Sequence, residues 1–314
     1  FVTPERDVIN LIKSDEIKML FKRIAPGVFG AGIYQINMMV DTILVSLVGT
    51  GAISWLYYAN RLQQLPLGVV GAAIGVAVLP ILSKQVKSED SIAARRTQDK
   101  AIEYGALMSM PAAVALVVLA APTVNVLFQH GKFGGLQTLM TSQAVIAYAL
   151  GLPLYVMVKA MAPNFFARGD TKTPVKYSAI VLLANLVFSV ALMVPFGHVG
   201  IASATTMAAF VSVFQYVRGL KKRGYWSFSA ELKKRMAKIF GCSLLMGMIL
   251  YVERNLLTLW NPNWLEFSVI VKLLLLGAIS SVAVLVFLMM IKMCGIVDVF
   301  TFCKNMIARR RKRK

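Results

Sequence analysis

Two groups of polar residues stand inside otherwise apolar runs, and each has a spacing that could do chemistry. The first lies in WLYYANRLQQLP, residues 55–66, where Tyr57, Asn60, Arg61 and Gln64 recur at helical spacing on one face, followed by Gly68. A guanidinium cannot shed its charge, and at the centre of a bilayer it costs about 2.5–3.5 kcal/mol on insertion scales. The pattern therefore reads as an amphipathic helix at membrane depth, with one face for lipid or packing and one for water or a polar ligand. The helical projection assigns Trp55, Tyr58, Leu62, Leu65 and Val69 to the opposite, apolar face. The competing reading lets Arg61 snorkel to the headgroups, which leaves Asn60 and Gln64 no reason to share its face.

The second group centres on Asp41 in NMMVDTILV. Asn185 and Ser189 are four residues apart on one expected helix, and Ile201 and Thr205 four apart on the next, after the short FGHVG turn. With Asp41 they form an oxygen-donor set of the kind a hard cation takes. Ordinary interhelical hydrogen bonding uses the same residue types, and spacing alone leaves both readings open.

Other chemistry is poorly supported. His130 and His198 fall at helix ends with no carboxylate or second histidine at ligand spacing, and read as surface residues. Cys242, Cys294 and Cys303 show no paired spacing, so neither a disulfide nor a metal site is indicated. There is no nucleotide-binding loop, no Ser/His/Asp set and no catalytic carboxylate pair. The expectation is a non-enzyme without a cofactor, apart from a hard cation at the Asp41 group.

The elements that carry these residues are membrane spans. The 314 residues are 58% hydrophobic, with a mean hydropathy of +0.68, against about 45–50% apolar in soluble domains. Eight apolar stretches are long enough to cross a bilayer: 24–48, 53–83, 101–121, 137–160, 177–196, 199–218, 239–259 and 268–294. Pro66, Pro80, Pro111 and Pro153 fall within or near them, as membrane helices tolerate. The net charge of +20 would suggest nucleic acid in a soluble chain, but here the basic residues separate the apolar runs.

Five segments, 1–23, 84–100, 168–176, 218–238 and 292–314, hold 29 of the 34 Lys and Arg. The alternate connections, 49–52, 122–136, 197–198 and 252–267, hold only Lys132 and Arg254. That alternation predicts both termini of the chain in the cytoplasm. Ser14 before Asp15 and Glu16 marks the start of a lead-in surface helix. The closing RRRKRK reads as a topology anchor, with anionic-lipid binding as the alternative.

The stretches SWLYYANRLQQLPLGVVGAAIGVAVLPILSK (54–84), APNFFARGDTKTPVK (162–176) and GHVGIASATTMAA (197–209) resemble the MurJ (MviN) family of lipid II flippases. The resemblance implies an all-α polytopic fold and half of a two-lobe exporter architecture of the multidrug and oligosaccharidyl-lipid superfamily. It divides the chain into a cytoplasmic lead-in helix (1–23), the six-helix second lobe (24–218), a basic linker (219–238), two extra helices that form a lipid groove (239–294) and a basic tail (295–314). It also implies a missing N-terminal lobe of the same protein.

Arg61 matches the family's cavity arginine, flanked by Tyr57, Asn60 and Gln64 as substrate-binding positions. Family members often carry acids where this chain has Asn60 and Gln64. Asp41, Asn185, Ser189, Ile201 through its carbonyl, and Thr205 match sodium-site positions of some members, with Ser189 replacing an acid. The function implied is transfer of lipid II, the undecaprenyl-pyrophosphate-linked peptidoglycan precursor, across the bacterial inner membrane by alternating access. Lipid II and membrane lipids are the implied partners, and nucleic acid is not. The alternatives are a flippase for another polyprenyl-linked glycan, a drug/cation antiporter of the same superfamily, or, from another class, a membrane enzyme acting on the carrier lipid.

Overall fold

A computed structural model describes residues 32, 33, 35–264 and 267–296. The lead-in helix expected over 1–23, the start of the first span and the RRRKRK tail lie outside the described residues. Every regular element among the described residues is helical, which is what hydrocarbon demands of a backbone that must bond to itself. In chain order they are α1 (35–46), α2 (Ala52–Lys87), α3 (Ser91–Val118), α4 (Ala120–Phe128), α5 (Gly135–Phe166), α6 (Lys172–Lys222), α7 (Ala230–Trp260) and α8 (Val269–Met293).

Helix α6 has 51 residues, a run of about 77 Å if straight and more than twice the ~30 Å hydrocarbon core. It is not straight. Gly197 breaks it with φ 55° and ψ −132°, a conformation open to glycine and strained for other residues. A side chain at Gly200 would collide with the Leu192 carbonyl, and one at Gly219 with the Tyr177 hydroxyl. The two limbs are therefore antiparallel and in contact from the turn to the far end, as the expected spans 177–196 and 199–218 require. Six described helices are long and apolar enough to cross a membrane, and α6, folded at Gly197, is long enough to do so twice.

Helix α4 has no counterpart among the expected spans. The apolar run 101–121 continues into it in sequence, but Leu119 ends α3 and precedes α4. Pro122 lies in the first turn of α4, where a missing N–H is harmless, whereas within α3 it would clash one turn back. Helices α3 and α7 begin earlier than their apolar cores, because Asp90 accepts from the Ala93 N–H at 2.9 Å and Ser229 from the Leu232 N–H at 3.1 Å. Residues 219–222 complete α6 and 230–238 open α7, so the connecting segment shrinks to 223–229.

Packing divides into three apolar clusters. At the basic end Leu82, Ile102, Phe165, Leu220 and Trp226 join α2, α3, α5, α6 and the segment before α7. At the opposite, sparsely charged end Val45, Leu56, Leu62, Val124, Val145 and Ile201 join α1, α2, α4, α5 and α6. A third cluster, with Ile239, Met246, Leu250, Ala283 and Phe287, docks α7 and α8 on α3 and α4. The outer faces of α7 and α8 expose Phe240, Met248, Leu274 and Met289, apolar where lipid is the solvent.

One sequence reading needs correction. His198 is not a surface residue: it is buried, its Nε2 lies 2.9 Å from the Met140 carbonyl, and its ring meets Trp55 edge-on at 5.0 Å. Cys242 and Cys294 are 52 positions apart, yet α7 and α8 bring their Sγ atoms to 3.9 Å as free thiols. Antiparallel packing erases sequence separation, so spacing could not reveal either contact.

Candidate functional site

Arg61 lies nine residues into α2, about 14 Å along its axis from the sparsely charged end. Its Nη2 donates to the Tyr57 hydroxyl at 3.0 Å, its Nη1 to Gln64 Oε1 at 3.4 Å, and its Cζ sits 4.9 Å from the centre of the Tyr57 ring. Gln64 in turn donates to Asn60 Oδ1 at 3.1 Å. The four expected residues thus form one chain along a single helix face. Every described partner of Arg61 is neutral, so the guanidinium keeps its full charge and spare donors on an exposed surface. Gln63, adjacent in sequence to Gln64, turns inward and donates to the Tyr148 carbonyl at 3.1 Å, fixing which face of α2 looks outward.

The expected opposite face does not hold as drawn. Leu62 is buried, but Leu65 and Val69 are 66% and 73% exposed. Leu65 is four residues from Arg61 and so lies beside it, not behind it. The outward face is therefore mixed: a guanidinium, a phenol and amides flanked by bare aliphatic side chains.

Asp41 stands on α1, facing the first limb of α6. Asn185 Nδ2 donates to its two carboxylate oxygens at 3.0 and 3.2 Å, and Ser189 Oγ donates to Asn185 Oδ1 at 3.3 Å. Asn37 completes the group: it donates to Asp41 at 3.3 Å and accepts from Asn185 at 3.0 Å. Asn37 is absent from the expected set, although it precedes Asp41 by the same four-residue step that marks Asn185 and Ser189. Ile201 and Thr205 bond to each other instead, the Thr205 hydroxyl donating to the Ile201 carbonyl at 3.2 Å. No hydrogen bond among the described residues joins them to Asp41. Thr205 does share a wall with Asn185 and Asn37 in a cavity of about 350 Å³.

The residues offer one carboxylate with amide, hydroxyl and carbonyl oxygens, the types a hard cation takes, but here Asn37 and Asn185 turn N–H donors to Asp41. Among the described residues no three His, Cys, Asp or Glu gather as a transition metal would require.

The sequence profile described as "Lipid II flippase MurJ" matches residues 8–275. The chain is 34% identical over 300 residues to a "Probable lipid II flippase MurJ" of Rhizobium tropici, covering 95% of this chain and 54% of that protein. The chain spans about half the length of the curated relatives it matches. A solved structure titled "Lipid II flippase MurJ, inward closed conformation" is 25% identical with a TM-score of 0.69, over 93% of this chain and 56% of that one. An outward-facing multidrug resistance MATE family transporter of the MOP superfamily shares the fold at 17% identity and a TM-score of 0.56, over 88% of this chain and 65% of that one.

Proposed function

The chain belongs to the lipid II flippase MurJ family, and from that premise we propose that it supplies one lobe and the extra helix pair of a transporter that carries lipid II across the bacterial inner membrane. Residues 24–218 form that lobe and 239–294 the pair; the partner lobe belongs to the same protein. The observation that carries the reading is Arg61: a guanidinium at membrane depth, on an exposed face, whose described partners are all neutral. A lipid-linked pyrophosphate matches that face twice over. Its oxygens meet the spare N–H donors, and its polyprenyl chain has Leu65 and Val69 to lie against.

No bond is made or broken. The face is exposed alternately to the two sides of the membrane as the lobes rock, with Tyr57 and Gln64 holding the guanidinium in place between substrates. The basic connectors lie on the cytoplasmic side. That orientation is tested by Asp90→Cys, Lys172→Cys and Lys222→Cys, which an impermeant thiol reagent added to intact cells should leave unlabelled; labelling of all three reverses it.

The function is tested by complementation in cells depleted of their own flippase, with membrane abundance measured alongside. Arg61→Ala should abolish growth at normal abundance. Arg61→Lys should restore part of it if charge dominates and almost none if paired donors do. Normal growth of Arg61→Ala removes the basis of the reading.

A second reading, supported by the Asp41 cluster, is that a sodium ion couples to the cycle. Asp41, Asn185 and Ser189 would hold it, with Thr205 and the Ile201 carbonyl on the facing limb. The ion would supply fixed positive charge between α1 and α6. Sodium should then raise the thermal stability of the protein, since a ligand of the folded state adds RT ln(1 + [L]/Kd), and Asp41→Asn should remove the effect.

A further inference from the structure

Lys159 has no part in either group above. It is on α5, and its side chain runs across Gly71 of α2, where a side chain in place of the glycine would collide with the lysine stem. The lysine is exposed, so its stem lies along α2 at the open side of the bundle. There it lines the same cavity of about 350 Å³ as Asn37, Asn185 and Thr205. The described lining of that cavity contains this one ammonium and no carboxylate. Asp41 is one layer behind, reached through the very amides, Asn37 and Asn185, that form the cavity wall.

Neither charge is neutralised locally. The described partners of Asp41 are amides, and no described acceptor bonds the Lys159 ammonium. A fixed positive and a fixed negative charge thus flank one cavity whose remaining walls are largely aliphatic, with Leu67, Val158 and Leu182 among them. The flexible four-carbon stem gives the ammonium reach across the cavity. Resting on the reading of Asp41 as a sodium site, we propose that Lys159 is a tethered cation that competes with sodium for the Asp41 cluster and sets its affinity. A mobile cation enters only against the field of the lysine, so the site answers to high sodium and rejects divalent ions more strongly than monovalent ones.

The test is a thermal-melting titration of the purified protein with sodium chloride, against choline chloride at matched ionic strength. Wild type, Lys159→Met, Lys159→Gln, Lys159→Arg, Asp41→Asn and the Lys159→Met/Asp41→Asn double variant are compared. The sodium concentration giving half the effect should fall about tenfold in Lys159→Met and Lys159→Gln and stay at the wild-type value in Lys159→Arg. Asp41→Asn should abolish the effect in both backgrounds, and calcium should stabilise only the variants that lack the lysine. The two neutral replacements differ in polarity, so a fold that rejects one is read through the other. If Asp41→Asn removes a sodium effect whose midpoint is unchanged without Lys159, the competition is wrong and the cation site stands. If sodium acts no differently from choline in wild type and in the neutral variants, both fall together.

Discussion

Arg223 and Arg235, at the basic end of the bundle, reach carboxylates far away in sequence, whereas among the described residues Arg61 reaches a phenol and an amide of its own helix. Arg223 pairs with Asp170 and donates to the Thr173 hydroxyl at 2.7 Å. Arg235 bridges buried Glu103 at 3.2 Å and exposed Glu231 at 2.6 Å. Around them Trp226 donates to Asp99 at 2.6 Å, Arg95 to the Gly224 carbonyl at 3.0 Å, and Arg168 covers the Tyr225 ring at 4.1 Å. These contacts tie the 223–229 segment to α3, to the turn after α5 and to the start of α6. In the opposite half every described partner of Arg61 is neutral, so its guanidinium is not consumed by the fold. A cation committed to a structural partner holds helices together; one left with neutral neighbours is available to a ligand.

That contrast breaks most visibly if the two arginines are removed in turn. Arg235→Ala leaves Glu103, whose side chain is 7% exposed, without its cation. Stranding a fully buried charge costs about 3–5 kcal/mol. Because Arg235 is itself 41% exposed, solvent screening should bring the loss down to about 2–3 kcal/mol. Arg61→Ala should shift the melting free energy by less than about 0.5 kcal/mol, the usual range for exposed positions. Thermal melts of both variants in detergent measure this. Equal losses would erase the distinction between a structural and an available arginine. The Arg235→Leu/Glu103→Leu pair should recover most of the stability, since removing both charges removes the stranded one.

The sparsely charged end should be sensitive to backbone rather than charge. Gly197→Ala places a Cβ where φ is 55°, which costs about 1–3 kcal/mol, and the nearest neighbour, Val48 Cγ1 at 3.4 Å, adds little. The loss should come without altered salt dependence, because no ion pair is touched. A salt-dependent loss would mean that the turn is coupled to charges on the other end.

How far the sequence can be read follows the same division. Apolar length and loop charge locate every described crossing because both are local properties of the chain. The Gly197 turn is legible as FGHVG for the same reason. Tyr57, Asn60, Arg61 and Gln64 can be found because one helix brings them together. What escapes depends on tertiary packing: Asp99 with Trp226, Glu103 with Arg235, the two thiols, and Lys159 in the cavity. Asp41 with Asn185 is the exception among distant pairs, since an acid in an apolar span announces a need for partners. The exposure of Leu65 has a different origin. It needs no tertiary information, because the four-residue step that pairs Asn185 with Ser189, applied from Arg61, puts Leu65 at its side.

The smallest effect tests the charged end at its edge. Partial burial alone would raise the Asp170 carboxyl, but the Thr173 N–H at 3.0 Å, the Thr173 hydroxyl and the Arg223 guanidinium outweigh it and hold the group below its ordinary value of 3.8. A lowered carboxyl stabilises the fold above its unfolded value and loses that contribution as pH falls through the folded one. Both partners are partly open to solvent, so the whole contribution should stay below about 1 kcal/mol. Melts of wild type and Asp170→Asn should therefore differ by a small, constant amount from pH 7 down to about pH 5, and the gap should close below about pH 4. A gap that is absent at neutral pH, or that widens on acidification, would show that Asp170 is a solvated surface acid and that the lock on the 223–229 segment depends on Arg235 and Trp226 instead.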